Sequence, residues 1–336
     1  MYSYQPKVTN LSQSPVYPIQ PDVRFKRLPF FDVLGELLKP SSLVLVPNSS
    51  QRNQESIFVF YLTPQQASDI AINRDIGPGS KNEYLIQVQL RFCLLETSCE
   101  QDDIFPPGVV VKVNNRVCPL PNPIPTNKPG VEPKRPPRPV NISALAKLSP
   151  SVANHINISW TAEYGRGYVV AINLVRKLTA TDLLQRLKSK GIRHADFTTG
   201  LIKEKLSEDA DTEIATTSLR VSLLCPLGKM RMVTPSRSTT CTHLQCFDAS
   251  LFLQMNEKKP TWTCPVCDRP ALYDNLVIDG YFQEVLSSTR LAPDSHEIQL
   301  HQDGSWSSHI AKKDPASNPT VLSSPQKSGV RNQNTI

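Results

Sequence analysis

Cys225-Pro-Leu-Gly228, Cys241-Thr-His243-Leu-Gln-Cys246 and Cys264-Pro-Val-Cys267 hold five of the chain's eight cysteines. Thiolate and imidazole bind Zn²⁺ tetrahedrally. A Cys-x-x-Cys or Cys-x-His pair puts two ligands on one tight turn, so two such pairs close a site. Cys241, His243, Cys264 and Cys267 supply four ligands, and the twenty residues between His243 and Cys264 leave room for a short helix to cross between the two loops. Asp248 can cap that helix, with Leu251, Phe252 and Met255 on its buried side. The bland alternative is a coincidence of buried thiols with one exposed histidine, which makes the paired spacing an accident.

The other two thiols sharpen the reading, because a cross-braced RING finger alternates four ligand pairs between two metal sites. With Cys225 as the first ligand, Cys241 and His243 are the third and fourth, Cys246 the fifth, and Cys264 and Cys267 the seventh and eighth. The second and sixth positions carry Gly228 and Ala249. One site is complete. The other keeps Cys225 and Cys246 as structural thiols and has lost their partners, so the expectation is a RING-like fold with one Zn²⁺ per chain.

Outward from this segment, 336 residues allow about two domains. The longest apolar runs fall far short of the ~20 residues that cross a bilayer, so no membrane partner is expected. The first thirty residues lack a basic start followed by an apolar stretch, being broken by Pro6, Pro15, Pro18 and Pro21. A reducing compartment follows, in which the cysteines are thiols or metal ligands and the sequons at Asn10, Asn48, Asn141 and Asn157 are chance matches. The formal charge of +7 permits contact with nucleic acid or an acidic protein and identifies neither. Lys134, Arg135, Arg138, Lys258, Lys259 and Arg269 either face acidic partners or form a solvated surface.

Twelve of the thirty prolines fall between Pro106 and Pro150. They mark an extended connector over Pro119 to Pro139, after a hairpin turn at Asn114-Asn115. Short apolar runs bounded by Pro, Gly, Asn or Ser read as strands: Phe30 to Leu34, Ser42 to Val46, Ile57 to Leu62, Tyr84 to Phe92 and Val109 to Val113. Strands resume at His155 to Trp160 and at Tyr168 to Leu174. The period then lengthens, with a helix capped by Thr181 and stopped by Gly191, and a second helix from Leu201 to Leu206. After Cys267, Leu276 to Asp279 leads into a helix carrying Phe282, Val285 and Leu286. Cys93, Cys99 and Cys118 read as reduced packing residues. The fold class is α+β and multidomain.

Cys-Pro-Leu-Gly, Cys-x-His-Leu-x-Cys-Phe-Asp and Trp-x-Cys-Pro-x-Cys together resemble the SP-RING (Miz-type) zinc finger of SUMO ligases. Pro139-Val140-Asn141-Ile142-Ser143 resembles the PINIT motif that names the domain preceding it. Over roughly residues 14 to 307 the chain is similar to the family of protein inhibitors of activated STAT. Residues 1–20 are polar, Pro-bearing and non-periodic and the last thirty are rich in Ser, Pro, Asn and Gln, so a flexible arm is expected at 1–13 and a disordered tail at 308–336. Between them the resemblance implies a PINIT domain at 14–178, a helical linker at 179–209 and an SP-RING domain with C-terminal helices at 210–307. No SAP helices are read, so the expected form lacks SAP-mediated DNA binding, and Val321-Leu322 is too weak to count as a SUMO-binding run.

By the same resemblance the chain is expected to be a nuclear SUMO-protein ligase with no nucleophile of its own. It would hold the SUMO-charged conjugating enzyme so that a lysine of a nuclear substrate, STAT-type transcription factors and chromatin proteins included, attacks the thioester. Leu227 and Pro265 would touch the conjugating enzyme; the alternative for Leu227 is ordinary core, and Trp262 fits either role. Two other readings stay open: a non-catalytic transcriptional cofactor, and a ubiquitin ligase of RING or U-box type.

Overall fold

A computed structural model gives the structure of the protein, describing residues 17–44, 52–75, 83–127, 130, 133–208 and 218–308. The arm at 1–13, the tail from 309, Leu45, Val46 and the Val321-Leu322 run lie outside the described residues. None of the described helices is long and apolar enough to cross a membrane. Two compact units are formed: one by the described residues up to 191 with 249–263 and 270–276, the other by 192–248, 264–269 and 277–308.

In the first unit the chain runs β1 (Phe31–Ser42), β2 (Asn53–Phe60), α1 (Pro64–Ile72), β3 (Ile86–Leu94), β4 (Val110–Val113), β5 (Arg116–Val117), β6 (Val140–Asn141), β7 (Asn154–Thr161), β8 (Tyr168–Lys177) and α2 (Ala180–Ser189). Alternation dictates the packing: Val88, Leu90 and Phe92 of β3 point one way, Gln87, Gln89 and Arg91 the other. Two four-stranded sheets, ordered β1-β8-β3-β6 and β2-β7-β4-β5, turn their apolar faces to one core that joins Phe58, Phe60, Leu90, Ile156, Ile158 and Ile172. Asn114 and Asn115 both take positive φ, 50° and 65°, which lets a two-residue turn match the twist of β4 and β5.

The PINIT stretch builds a sheet edge. Asn141 lies opposite Gln89, and the N–H of Ile142 donates to the Val88 carbonyl at 2.9 Å. The Ser143 hydroxyl accepts from the Val88 N–H at 2.8 Å and donates to Asn141 Oδ1 at 2.6 Å. Ile142 is wholly buried.

Several details differ from the sequence expectation. β1 is one bulged strand through Ser42, and Val44 beyond it is exposed. The cap of α2 is Thr179, two residues before Thr181, because Thr179 and Asp182 satisfy each other's backbone N–H groups as a capping box. Cys93 and Cys118 are buried, but Cys99 is exposed, on a loop after β3.

The second unit opens with β9 (Ile192–Arg193) and α3 (Ala195–Glu208), longer than the Leu201 to Leu206 expected. There follow β10 (Ser218–Ser222), β11 (Pro235–Ser238), β12 (Phe247–Asp248), α4 (Ala249–Lys258, part of the first unit), β13 (Leu276–Asp279), α5 (Gly280–Ser287), β14 (Glu297–His301) and β15 (Trp306–Ser308). The helices expected after the finger are, among the described residues, α5 alone, followed by a hairpin. Its sheets are ordered β12-β11-β13-β9 and β10-β14-β15. β9 runs parallel to β13, so close to the start of α5 that a Cβ on Gly280 would stand 2.3 Å from the Arg193 carbonyl oxygen. Only glycine fits there.

In the first unit α4 buries Phe252, Leu253 and Asn256, whereas Leu251 and Met255 are half-buried. The stripe is turned from the one expected because Asn256 holds the following loop, its Oδ1 accepting from the N–H groups of Thr261 and Trp262. Trp262, at φ 51°, is half-buried and meets Phe252 and Tyr273 edge-on.

Candidate metal centre

Two turns in this chain have the same backbone. The Cys225 N–H donates to the Met230 carbonyl, and the Lys229 N–H donates back to the Cys225 carbonyl, both at 2.8 Å. The Cys264 N–H donates to the Arg269 carbonyl at 2.8 Å, and the Asp268 N–H to the Cys264 carbonyl at 3.0 Å. Lys229 and Asp268, each four residues after its cysteine, carry φ of 52° and 57°. Each knuckle points its first cysteine inward, and both Cys225 and Cys264 are fully buried. The second knuckle has a second thiol three residues on, Cys267. The first has Gly228 there and keeps the same backbone hydrogen bonds.

Cys241 and His243 come from the loop between β11 and β12 and meet the second knuckle. The four ligand atoms of Cys241, His243, Cys264 and Cys267 all lie within 4.8 Å of one another, the one such group among the described residues. Cys241 Sγ is 3.8 Å from Cys267 Sγ, and His243 Nε2 is 3.3 Å from Cys264 Sγ. A tetrahedron with Zn–S of about 2.3 Å has an S···S edge of about 3.8 Å, so the donor set fits this ion in number, type and spacing. His243 Nδ1 is 2.8 Å from the Gln245 carbonyl oxygen, which can only accept. The proton is therefore on Nδ1, leaving the Nε2 lone pair free toward the thiols. Burial pushes the Cys241 thiol up to about 12, with the Cys264 and Cys267 sulfurs beside it adding to the rise, and burial lowers the His243 imidazole. A divalent cation at the centre favours the thiolate and neutral imidazole forms that such a site requires.

Cys225 and Cys246 are both fully buried and each has its own hydrogen bond. Cys225 Sγ accepts from the Asp248 N–H at 3.2 Å, and the Cys246 thiol donates to the Leu244 carbonyl at 3.8 Å. Burial holds the Cys246 thiol well above its ordinary range. Asp248, expected as a helix cap, turns its Oδ2 back to the N–H groups of Val233 and Thr234. Leu227 and Pro265 sit half-buried on the two knuckles, Leu227 two residues after Cys225 and Pro265 one after Cys264.

At the metal centre a buried cation escaped the sequence reading. Arg237 of β11 donates Nη1 to the carbonyl of His243 at 2.9 Å and Nη2 to Thr198 Oγ1 at 2.7 Å, so the ligand loop is tied to α3. Its only signal was an arginine inside a short strand, Pro235-Ser-Arg-Ser238, and the partners Thr198 and Asp279 lie dozens of residues away.

The PINIT domain family matches residues 22–176, and the MIZ/SP-RING zinc finger family matches residues 221–270. The chain is 57% identical over 297 residues to the E3 SUMO-protein ligase PIAS3 of Homo sapiens, covering 88% of this chain and 46% of that protein. To the E3 SUMO-protein ligase PIAS2 of Rattus norvegicus it is 56% identical over 300 residues, covering 89% and 52%. To PIAS4 of Mus musculus it is 50% identical over 316, covering 94% and 60%. The chain thus spans about half the length of the curated relatives it matches. The fold is similar to the crystal structure of the S. cerevisiae SUMO E3 ligase SIZ1, with a TM-score of 0.62 at 23% identity, covering 91% of this chain and all of that one. With both of its domains matched, this chain belongs to the PIAS family of PINIT and SP-RING zinc-finger proteins.

Proposed function

We propose that the chain is an E3 SUMO-protein ligase that acts by positioning, with one Zn²⁺ held by Cys241, His243, Cys264 and Cys267. When bound, the ion supplies a structural cross-link between the β11–β12 loop and the second knuckle. The chain's own residues then do the work. Leu227 and Pro265, on two turns of matching geometry, form an apolar contact for the SUMO-charged conjugating enzyme. Holding that enzyme restricts the thioester to conformers open to attack. The substrate lysine amine adds to the thioester carbonyl, the conjugating enzyme's thiolate leaves, and an isopeptide bond forms. No nucleophile on this chain takes part.

The observation that carries this reading is the repeated knuckle, which presents both contact residues on turns whose geometry is set by backbone hydrogen bonds. The activity named for PIAS2, PIAS3 and PIAS4 supports it. The proposed partners are the conjugating enzyme, SUMO and nuclear protein substrates, STAT-type factors and chromatin proteins among them, and the proposed location is the nucleus. The test is to mix the zinc-loaded chain with SUMO-charged conjugating enzyme and free lysine, and to follow thioester loss. Acceleration over background is expected. Its absence leaves the zinc lobe as a folded module of a non-catalytic cofactor.

A further inference from the structure

The outer face of the β1-β8-β3-β6 sheet is mixed: Gln87, Gln89, Arg91 and Asn173 share it with Cys93, Val169, Ala171 and Val175. One cross-strand row runs Glu36, Asn173, Gln89, Asn141, each directly opposite the next. Residues 19–28 pass over this face as a strap. The strap is pinned at one end by pairing of Ile19 with Ser41 and at the other by pairing of Phe25 with Gln101. Between strap and sheet lies a cleft of about 810 Å³ with the carboxamides of Gln89 and Asn173 among its lining groups. A second, shallower hollow of about 630 Å³ on α2 contains Arg176, Arg186 and Lys190. Asp32 lines the first hollow, and its carboxylate is held by Arg186 of the second, with Nη1 at 2.8 Å and Nη2 at 2.5 Å.

Nine Lys or Arg side chains line the two hollows, against four Asp or Glu. The excess is concentrated at Asp32. The hydrogen bond from Arg186 holds its carboxyl below the usual range, and the charges of Arg176 and Arg27 act the same way. One carboxylate takes one guanidinium fork, and it has taken Arg186. Among the described residues Arg24, Arg27, Lys39 and Arg176 have no ion-pair partner. Charges on a convex surface are usually just solvated, but a concave wall focuses its potential on whatever enters.

We propose that this groove is a docking site for an extended, acidic peptide segment of a partner protein. Arg27 and Arg176 offer forks for carboxylates, and the half-buried Asn173 amide matches the N–H and C=O groups of an extended main chain. Exposed aliphatic side chains, Ile19 and Val33, cover the alternate residues. A single-stranded nucleic acid fits less well, since it needs free aromatic faces for stacking. Phe25 already carries the Arg91 guanidinium 4.9 Å from its ring centre, and Phe31 is half-buried. The groove lies within the first unit and does not rest on the ligase reading, so either can fail alone.

The test is fluorescence anisotropy of the full chain with a labelled peptide of six alternating Glu-Val pairs, the same peptide with Lys for Glu, and an oligo-dT of twelve nucleotides. Saturable binding of the Glu peptide alone is expected, weakening about tenfold in Arg27→Glu/Arg176→Glu and unchanged in Arg290→Glu, on the other unit. The milder Arg27→Gln/Arg176→Gln should weaken it by a smaller factor, which covers the case that charge reversal disturbs folding. No binding of the Glu peptide, binding indifferent to both double variants, or oligo-dT binding as well as or better than the peptide would each overturn the proposal.

Discussion

Arg237 and Asp279 form an ion pair, Nη2 to Oδ2 at 2.6 Å, with only 3% and 1% of their side chains exposed. The same carboxylate oxygen accepts from Thr198 Oγ1 at 2.7 Å, and its other oxygen caps α5 through the Phe282 N–H at 3.1 Å. Removing one partner strands a buried charge, so Arg237→Ala or Asp279→Ala should cost about 3–5 kcal/mol. Urea denaturation of the zinc-loaded chain measures it. The exposed pair Arg220–Glu297, at 64% and 46%, is the control, and Arg220→Ala should cost under about 1 kcal/mol. Equal losses in the two variants would mean that the buried pair is not what ties the ligand loop to α3 and α5.

The PINIT motif forms a sheet edge rather than a contact loop. Ile142→Ala, at a wholly buried position, should destabilise by about 2–5 kcal/mol. Ser143→Ala should cost about 1–3 kcal/mol, because the Val88 N–H then lacks its acceptor. Thermal unfolding of each variant decides, and wild-type stability for Ile142→Ala would contradict the packing.

Metal content is a third prediction. Mass spectrometry under native conditions should find one zinc per chain, and two equivalents would contradict the assignment of Cys225 and Cys246 as hydrogen-bonded thiols. Cys264→Ser should lose the ion and unfold the lobe, since a structural zinc contributes about 10–16 kcal/mol to small zinc domains. Chelation of the wild-type chain should produce the same loss of structure, read by near-ultraviolet circular dichroism.

Thiol reactivity separates the remaining cysteines. Burial pushes Cys93 up to about 12, with Asp103 adding to it, and burial pushes Cys118 up to about 11. Thiolate is the reactive form, so at neutral pH brief iodoacetamide treatment of the native chain should label exposed Cys99 and leave Cys93 and Cys118 intact. Peptide mapping reads the outcome, and equal labelling of all three would contradict the burial.

What could be read from the chain beforehand was local. The Cys-x-His and Cys-x-x-Cys pairs, the Asn114-Asn115 turn and the alternation in Tyr84 to Phe92 each involve neighbours in sequence, and each has a structural counterpart. The failures were where two local options compete or where the partner is remote. Thr179 and Thr181 both look like caps, and Asp182 decides between them by reaching back to Thr179. Asn256 rotates the buried stripe of α4 because it must hold the backbone at Thr261 and Trp262. The Arg237–Asp279 pair and the Glu36–Asn173–Gln89–Asn141 row join strands far apart in sequence, and no periodicity announces them.

Single-turnover discharge of the SUMO thioester onto free lysine, run with Leu227→Ala at full zinc occupancy, bears most directly on docking by the knuckles. The variant should keep its metal and its unfolding midpoint while losing about tenfold or more of the acceleration. A Leu227→Ala chain that discharges the thioester as fast as the wild type, or one that loses its zinc and melts, would show that Leu227 is not the contact through which the conjugating enzyme is held.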